Sequence, residues 1–469
     1  MSYAAAIDAL NALAPELYTQ PGRPRRKFSL AEIGILLAAL GNPHQRFPGV
    51  LIAGTNGKGS TASTLAAILA ASGLRTGLYT SPHLERPNER IRIGGPGPSF
   101  SEISDDDFAT RYFAVHSIAE RLVSSGELGQ HPSFFETLTA MAFLHFAGAA
   151  IDIAVLEVGM GGRLDATNIV QPLLSIITDI SLDHTEWLGP TISAIAHEKA
   201  GILRPNGILI TLPQHPEANQ AIGEIATPLN VRAISATPYM PPANVAPDQP
   251  YAVNVLGAAI QVDSPLHGAH QHRNLALAIA AAAELAQHHQ LPIAPASIEA
   301  GIRATRWPGR MEQIQMGAPR WLLDVAHNPA GAWALRAGLR PFFDAAPDQP
   351  RTLVFSCLRD KPVAELAQIL FPLFDRVLFA PIHSLRAATM ESLLAAAEAT
   401  GTPARAAESV ANALLLASRE GGLVVISGSV YLVGEARAIL LDGPYFFPDG
   451  AEPDDPGETG GKNHGSAHP

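Results

Sequence analysis

Cysteine is almost absent from this chain: one residue, Cys357, in 469. A single thiol excludes an intramolecular disulfide framework and suits a reducing compartment. Placed between Val354 and Leu358, it reads as a small apolar core residue. Basic residues are also scarce, with 32 Lys and Arg against 43 Asp and Glu and a formal net charge of −11. No polybasic block stands out, which argues against nucleic acid or an anionic membrane as a partner. Long apolar runs are lacking too, since the alanine-rich stretch 275–286 is too short and too interrupted to span a bilayer. The N-terminus shows no basic flank leading into an apolar core, so no secretory signal is expected. No internal repeat is apparent. These absences describe a soluble, cytoplasmic chain that is long enough for two or three domains.

What is present is alternation. Short apolar runs at 50–53, 76–80, 153–158, 174–178 and 207–212 are separated by alanine- and leucine-rich helical patterns, one of them at 134–146. Continuous apolar runs of this length indicate strands covered on both faces, as in a mainly parallel α/β sheet. A second series, at 321–325, 352–356, 376–380 and 423–427, follows Trp307-Pro308-Gly309-Arg310 and predicts a smaller Rossmann-like unit. The Pro-Gly pair makes 305–312 the expected hinge. The proline-rich stretch 213–265 reads as irregular strands and loops. The Gly-, Pro- and acid-rich tail, with His464 and His468, reads as disordered.

The run at 50–53 leads into Gly54-Thr55-Asn56-Gly57-Lys58-Gly59-Ser60 and then a helical pattern. Glycines let backbone N–H groups turn inward around phosphate oxygens, and the helix N-terminus adds partial positive charge. Lys58 is placed to reach the outer phosphates and Ser60 to ligate the accompanying Mg²⁺. The loop is shorter than the common phosphate loop, and Gly59 intervenes between lysine and hydroxyl.

Further strand ends bring polar groups to the same rim, where open α/β sheets bind ligands. Ser81, in Tyr79-Thr80-Ser81-Pro82-His83, offers a second hydroxyl, although turn chemistry would also use Ser81 and His83. Glu157 ends an apolar strand, where an unpaired carboxylate is costly. It is expected to coordinate Mg²⁺ or, alternatively, to pair with Arg163. Asp165 and Asn168 follow in a glycine-rich loop. Asp183 and His184 close the next strand, His184 being a candidate ligand for a second metal. Lys199, in Glu198-Lys199-Ala200-Gly201, is either semi-buried with a tunable charge or a surface lysine paired with Glu198 or Asp183. The convergence describes an ATPase with one or two metals, catalysing phosphoryl transfer by positioning and charge neutralisation.

These segments, together with Leu323-Asp324-Val325-Ala326-His327-Asn328-Pro329, resemble the folylpolyglutamate synthase/dihydrofolate synthase family, relatives of the Mur ligases, in order from about Tyr3 to Ala438. The resemblance implies a Mur-ligase-like ATP-binding domain with a folate site at 1–306. It also implies a Rossmann-like glutamate ligase domain at 307–445, which leaves 446–469 as the tail. The implied reaction is ATP-dependent amide formation between a dihydropteroate or tetrahydrofolate carboxylate and the amine of L-glutamate, through an acyl phosphate, with ATP and two Mg²⁺ ions. The implied partners are these small molecules, acting on a monomer.

Carried over by position, Asn56, Gly57, Lys58, Gly59, Ser60, Asn274, Arg310 and Asp324 hold ATP. Ser60, Ser81 and Glu157 serve the first metal; His184 and a carbamylated Lys199 serve the second. Lys58, Asp165, Lys199 and His327 are the implied catalytic set. Ser29, Leu30, Ala31, Phe134, Phe135, Glu136, Leu164, Asp165 and Ala166 are the implied pterin contacts, with helix core as the other reading of Phe134 and Phe135. Other readings of the same residues are a folylpolyglutamate synthase alone, a Mur-type peptide ligase, and an ATP-binding module without catalysis.

Overall fold

The computed structural model describes residues 2–13, 29–97, 99–315 and 318–442; the expected tail at 446–469 lies outside them. Eight strands form the first sheet: β1 (Gly49–Ala53), β2 (Thr76–Tyr79), β3 (Ile91–Gly94), β4 (Phe100–Glu102), β5 (Ile153–Glu157), β6 (Leu174–Ile177), β7 (Ile208–Thr211) and β8 (Arg232–Ser235). Their order is β4-β3-β2-β5-β1-β6-β7-β8. From β2 to β8 neighbours are parallel, and β3 and β4 add an antiparallel edge. β1 is central, with Val50 level with Val155 on one side and Leu174 on the other.

Alternation divides each strand between two cores. Leu51, Ala53 and Leu156 face a layer containing Phe143 and Phe146. Val50, Ile52 and Val155 face the helices Lys58–Ala71 and Ala269–His288. Both helices are alanine-rich and buried along most of their length, and small side chains let them lie close to the sheet and to each other. A hairpin, β9 (Tyr251–Val255) and β10 (Ala258–Val262), is separate from this sheet.

The second sheet comprises β11 (Glu312–Gln315), β12 (Arg320–Asp324), β13 (Arg351–Phe355), β14 (Arg376–Phe379), β15 (Ala404–Ala406) and β16 (Leu423–Ser427), ordered β11-β12-β16-β13-β14-β15. All neighbours are parallel except the β11–β12 pair. Leu353 and Phe355 point into one core and Val354 into the other. Cys357 is fully buried in the first of these. The molecule is thus α/β, with a large, mainly parallel sheet and a second, smaller α/β unit.

The stretch 213–265 differs from expectation. It holds the helix Pro216–Ala226 as well as β8 and the hairpin. Pro216 occupies the first helical turn, where its missing N–H costs no hydrogen bond, so proline opens this helix rather than breaking it. Among the described residues no helix is long and apolar enough to cross a membrane.

Candidate active site

β1 ends at Ala53 and the chain turns through Gly54–Ser60 into the helix Lys58–Ala71. The turn is tightly held: Thr55 N–H donates to the Asp179 carbonyl (2.8 Å) and the Thr178 hydroxyl to the Asn56 carbonyl (2.8 Å). Two glycines are required sterically. At Gly54 a Cβ would fall 1.8 Å from Thr178 Oγ1, and at Gly57, with φ +87°, 2.1 Å from Asn274 Oδ1. The Lys58 ammonium folds back to donate to the Gly54 and Thr55 carbonyls at 3.1 Å each. Ser60 is buried in the first helical turn.

Beneath the loop lie two buried titratable groups, an amine and a carboxyl. Lys199, in the last turn of the helix Ile192–Ala200, donates to the Gly54 carbonyl at 2.7 Å. Burial, and secondarily Lys58, drive its pKa well below the usual lysine value. Lys199 has no ion pair with Glu198, which instead pairs with Arg163 at 2.8 Å. That same pair removes Arg163 as a partner for Glu157. Glu157, the last residue of β5, accepts the Ser81 N–H at 3.0 Å. Burial raises its pKa, while Lys58, the Ser81 N–H, Arg310 and Arg90 pull it down. Nearby, Arg90 Nε donates to His83 Nδ1 (2.8 Å). Burial and this cation hold His83 neutral, its pKa lowered to about 3.

His184 stands at the open side of the cleft with a left-handed backbone, φ +49°. Partial desolvation lowers its pKa to about 4; Lys361, His327 and Lys58 add to this and Asp183 opposes it. A neutral imidazole is the form that binds metals. The side chain of its neighbour Asp183 is largely enclosed. Burial alone would raise the Asp183 pKa, but His327, His184 and Lys361 override it and hold the carboxyl well below the usual carboxylate range. Lys361 Nζ lies 2.6 Å from Asp183 Oδ1, and Asn328 Nδ2 donates to Oδ2 at 3.0 Å.

The opposite wall comes from the second sheet. Arg310 follows the hinge, and Asp324 at the end of β12 accepts the Met311 and Ala326 N–H groups at 3.0 and 2.9 Å. His327 Nδ1 donates to the Val325 carbonyl (2.8 Å), leaving Nε2 3.6 Å from Asp183. Asn328 Nδ2 also donates to Asn56 Oδ1 at 3.0 Å, so the second unit touches the phosphate loop itself. Together these residues line a cleft of about 470 Å³ that contains Gly54–Ser60, Ser81, Glu157, His184, Lys199, Asn274, Arg310, Asp324 and His327. Every residue expected at the nucleotide or the metals is gathered there.

The expected pterin contacts do not line this cleft. Ser29 caps the helix Leu30–Ala39 by accepting the Ala31 N–H at 3.2 Å. Glu136 Oε2 accepts the Ser133 N–H and hydroxyl (2.7 Å each) in a capping box that opens the helix Phe134–Gly148. Phe134 lies under the Arg90 guanidinium, 5.3 Å from the ring centroid, and Phe135 packs on Tyr79 and against Gly159. Both phenyl rings belong to the margin of the core. Leu164 and Ala166 flank Asp165, whose carboxylate accepts the Gly159, Met160 and Thr167 N–H groups and the Thr167 hydroxyl at 2.6–3.0 Å. Sequence reading passed over Lys361 and the Asp179–Arg273 pair, in which Arg273 Nε and Nη2 bind the carboxylate at 2.6–2.9 Å. Lys361 stands in no phosphate-loop-like motif, and only the facing of the two sheets gives it a role.

A phosphate loop over a buried carboxylate and a buried lysine, closed by a second α/β unit, is the arrangement expected of an ATP-dependent ligase of the Mur type. Residues 106–282 match the family model of the Mur ligase middle domain, and residues 309–430 match that of the Mur ligase glutamate ligase domain. Over 458 residues the chain is 37% identical to the dihydrofolate synthase/folylpolyglutamate synthase of Mycobacterium tuberculosis, spanning 88% of this chain and 90% of that protein. It is 34% identical to the folylpolyglutamate synthase of Lacticaseibacillus casei, with 87% and 93% covered. The crystal structure of the M. tuberculosis folylpolyglutamate synthase with ADP and AMPPCP superposes with a TM-score of 0.79 at 33% identity, covering 93% of this chain and 99% of that one. A folylpolyglutamate synthase–AMPPCP–folate complex gives 0.76 at 31% identity, with 94% and 100% covered. The chain belongs to the folylpolyglutamate synthase/dihydrofolate synthase family of the Mur ligase superfamily, and it is an ATP-dependent acid–amino-acid ligase.

Proposed function

We propose that this ligase joins the α-amine of L-glutamate to a carboxylate of dihydropteroate, giving dihydrofolate, and to the terminal carboxylate of tetrahydrofolate polyglutamates. The observation that carries the reading is the assembly of Lys58, Glu157, His184 and Lys199 in one cleft with Arg310, Asp324 and His327 of the second unit. The names of the relatives supply the substrates. The acceptor carboxylate attacks the γ-phosphorus of ATP, the bond to the β-bridging oxygen breaks, and ADP and an acyl phosphate result. The glutamate amine then attacks the acyl carbon, and phosphate and a proton leave. Lys58 and Arg310 are cations placed to spread the charge of the phosphoryl group, and Asn274 and Asp324 are placed to hold the nucleotide.

Mg²⁺ fits the donor set: Ser60 and Ser81 hydroxyls with the Glu157 carboxylate offer hard oxygen ligands. Among the described residues no three His, Cys, Asp or Glu side chains form a ready metal cage, which suits an ion that takes the rest of its shell from phosphate and water. When bound, such ions neutralise phosphate charge. A second ion would use His184 and Lys199 as a carbamate. Burial lowers the Lys199 pKa and so favours the unprotonated amine, the form that adds CO₂. The same reading makes the protein a cytoplasmic monomer, divided near residue 306, with the pterin in the region of Phe134, Phe135 and Ala166.

The test is turnover. Purified protein with ATP, Mg²⁺ and glutamate should release phosphate, with a matching product mass, on addition of either dihydropteroate or tetrahydrofolate. Turnover with tetrahydrofolate alone would remove the dihydrofolate synthase half, and silence with both would remove the whole reading.

A further inference from the structure

The phosphate loop carries a third glycine whose need is not met by backbone conformation. Gly59 lies inside the first helical turn, yet a Cβ there would fall 2.5 Å from Trp307 Cζ2, 2.9 Å from Cε2 and 3.0 Å from Nε1. Contacts under about 3 Å are not tolerated between packed atoms, so the helix admits this indole only because residue 59 has no side chain. Arg92 lies over the same ring, 4.8 Å from its centroid, and its Nη2 donates to the Thr80 hydroxyl (3.3 Å), one residue before Ser81. Trp307 Nε1 and Arg92 Nε are buried without hydrogen-bond partners among the described residues. Packing and the cation–π contact, rather than hydrogen bonds, therefore hold the ring.

Trp307 is also the last hinge residue anchored to the first unit. Ser63, one turn beyond Gly59, donates to the Arg306 carbonyl at 3.1 Å. Two residues after Trp307, Gly309 already belongs to the second unit: its N–H donates to Glu312 (2.8 Å), and its carbonyl accepts from Val325 (3.0 Å). Only Pro308 lies between, and its ring fixes one of the two soft backbone dihedrals. Arg310 then enters the cleft. The hinge has almost no slack between the indole on the phosphate loop and the guanidinium in the cleft.

We propose that Trp307 is a positioning residue that locks the interdomain hinge onto the phosphate loop through Gly59, so that ordering of the loop by nucleotide phosphates and placement of Arg310 are one event. Trp307 does not line the cleft and acts through its neighbours. The proposal rests on nucleotide binding alone and holds whichever acceptor the enzyme uses.

A double-mutant cycle on ADP affinity tests it without any ligase assay. Gly59→Ala and Trp307→Ala should each weaken ADP binding about tenfold, and the double variant should bind about tenfold better than the product of the two losses allows, because the added methyl no longer meets the indole. Trp307→Phe, which keeps an aromatic plane, should bind ADP close to wild type. The chain has four tryptophans, so a variant with Trp187, Trp321 and Trp333 changed to Phe isolates the emission of Trp307. Its spectrum should shift on ADP titration. This readout leaves the Gly59 contact intact, so it stands even where Gly59→Ala fails to fold. An additive cycle, or an emission that ADP does not move, overturns the proposal.

Discussion

Lys199 illustrates how burial can reverse what a residue type suggests. In a lysine, charge is the default and a surface ion pair the common outcome. Here the ammonium form would have to sit under a phosphate loop beside Lys58, and both burial and that neighbour make its proton easier to lose. Lys199→Ala is expected to lower turnover by about 100-fold or more, the scale for loss of one transition-state charge partner, with partial rescue by short carboxylic acids. Mass spectrometry under native conditions, lacking an added CO₂ in the wild type, would sink the carbamate assignment. Cys357 makes the opposite case. Burial, with Asp360 adding to it and Lys361 opposing, raises its pKa to about 12. At pH 8 the reactive thiolate is therefore scarce in the native state, while an unfolded cysteine near pKa 8.5 ionises appreciably. Alkylation at pH 8 should proceed only as fast as the protein opens, and rapid labelling of the folded chain would show that the thiol is not enclosed.

At the scale of elements, the loop between β5 and β6 decides how Asp165 is understood. Its carboxylate gathers four donors of the loop 159–167, and this loop docks on the helix end that carries Lys199 through the Arg163 N–H and the Glu198 carbonyl (2.8 Å). Asp165→Ala leaves these donors to find water, and a stability loss on the order of 3 kcal/mol is expected, read by thermal unfolding. Unchanged stability with lost turnover would instead favour direct chemistry at Asp165. Elements such as β1, β5 and the helix after Lys58 were legible because local pattern and local chemistry coincide: apolar runs, then glycines, then Lys58 or Glu157. The helix Pro216–Ala226 was not, because proline density hid a helix start. Glu136 and Ser29 show another limit. A side chain that caps a helix and one that binds a ligand share the same residue types, and the caps made by Ser29 and Glu136 become visible only once the helix starts are placed. Gly59 shows the last: its reason is Trp307, about 250 residues away in sequence.

At the scale of the molecule, two sheets must meet for the cleft to exist, and Asp183 is one of the places where they are fastened. One carboxylate of the first unit receives the Lys361 ammonium and the Asn328 amide of the second, and Asn328 continues to Asn56 in the phosphate loop. Asp183 and Lys361 side chains are 8% and 6% exposed, so losing Lys361 would leave the Asp183 carboxylate shielded from water, with Asn328 and His327 still facing it. Removing one partner of such a pair typically costs about 3–5 kcal/mol, whereas removing both costs far less. Neither sheet's core includes these residues, so the penalty should fall on the closed arrangement rather than on either fold. Lys361→Met is therefore expected to increase the radius of gyration by small-angle scattering and to cut turnover at least tenfold, with little change in the circular dichroism of the folded chain. Because the pair is shielded from water, raising the salt concentration should leave the wild-type dimensions unchanged. The double variant Asp183→Asn with Lys361→Met should recover the compact form even where activity stays low. A Lys361→Met protein as compact as wild type would mean that the other contacts between the units, among them Asn328–Asn56, Arg437–Glu85 and the Trp307 hinge, hold them closed without this pair.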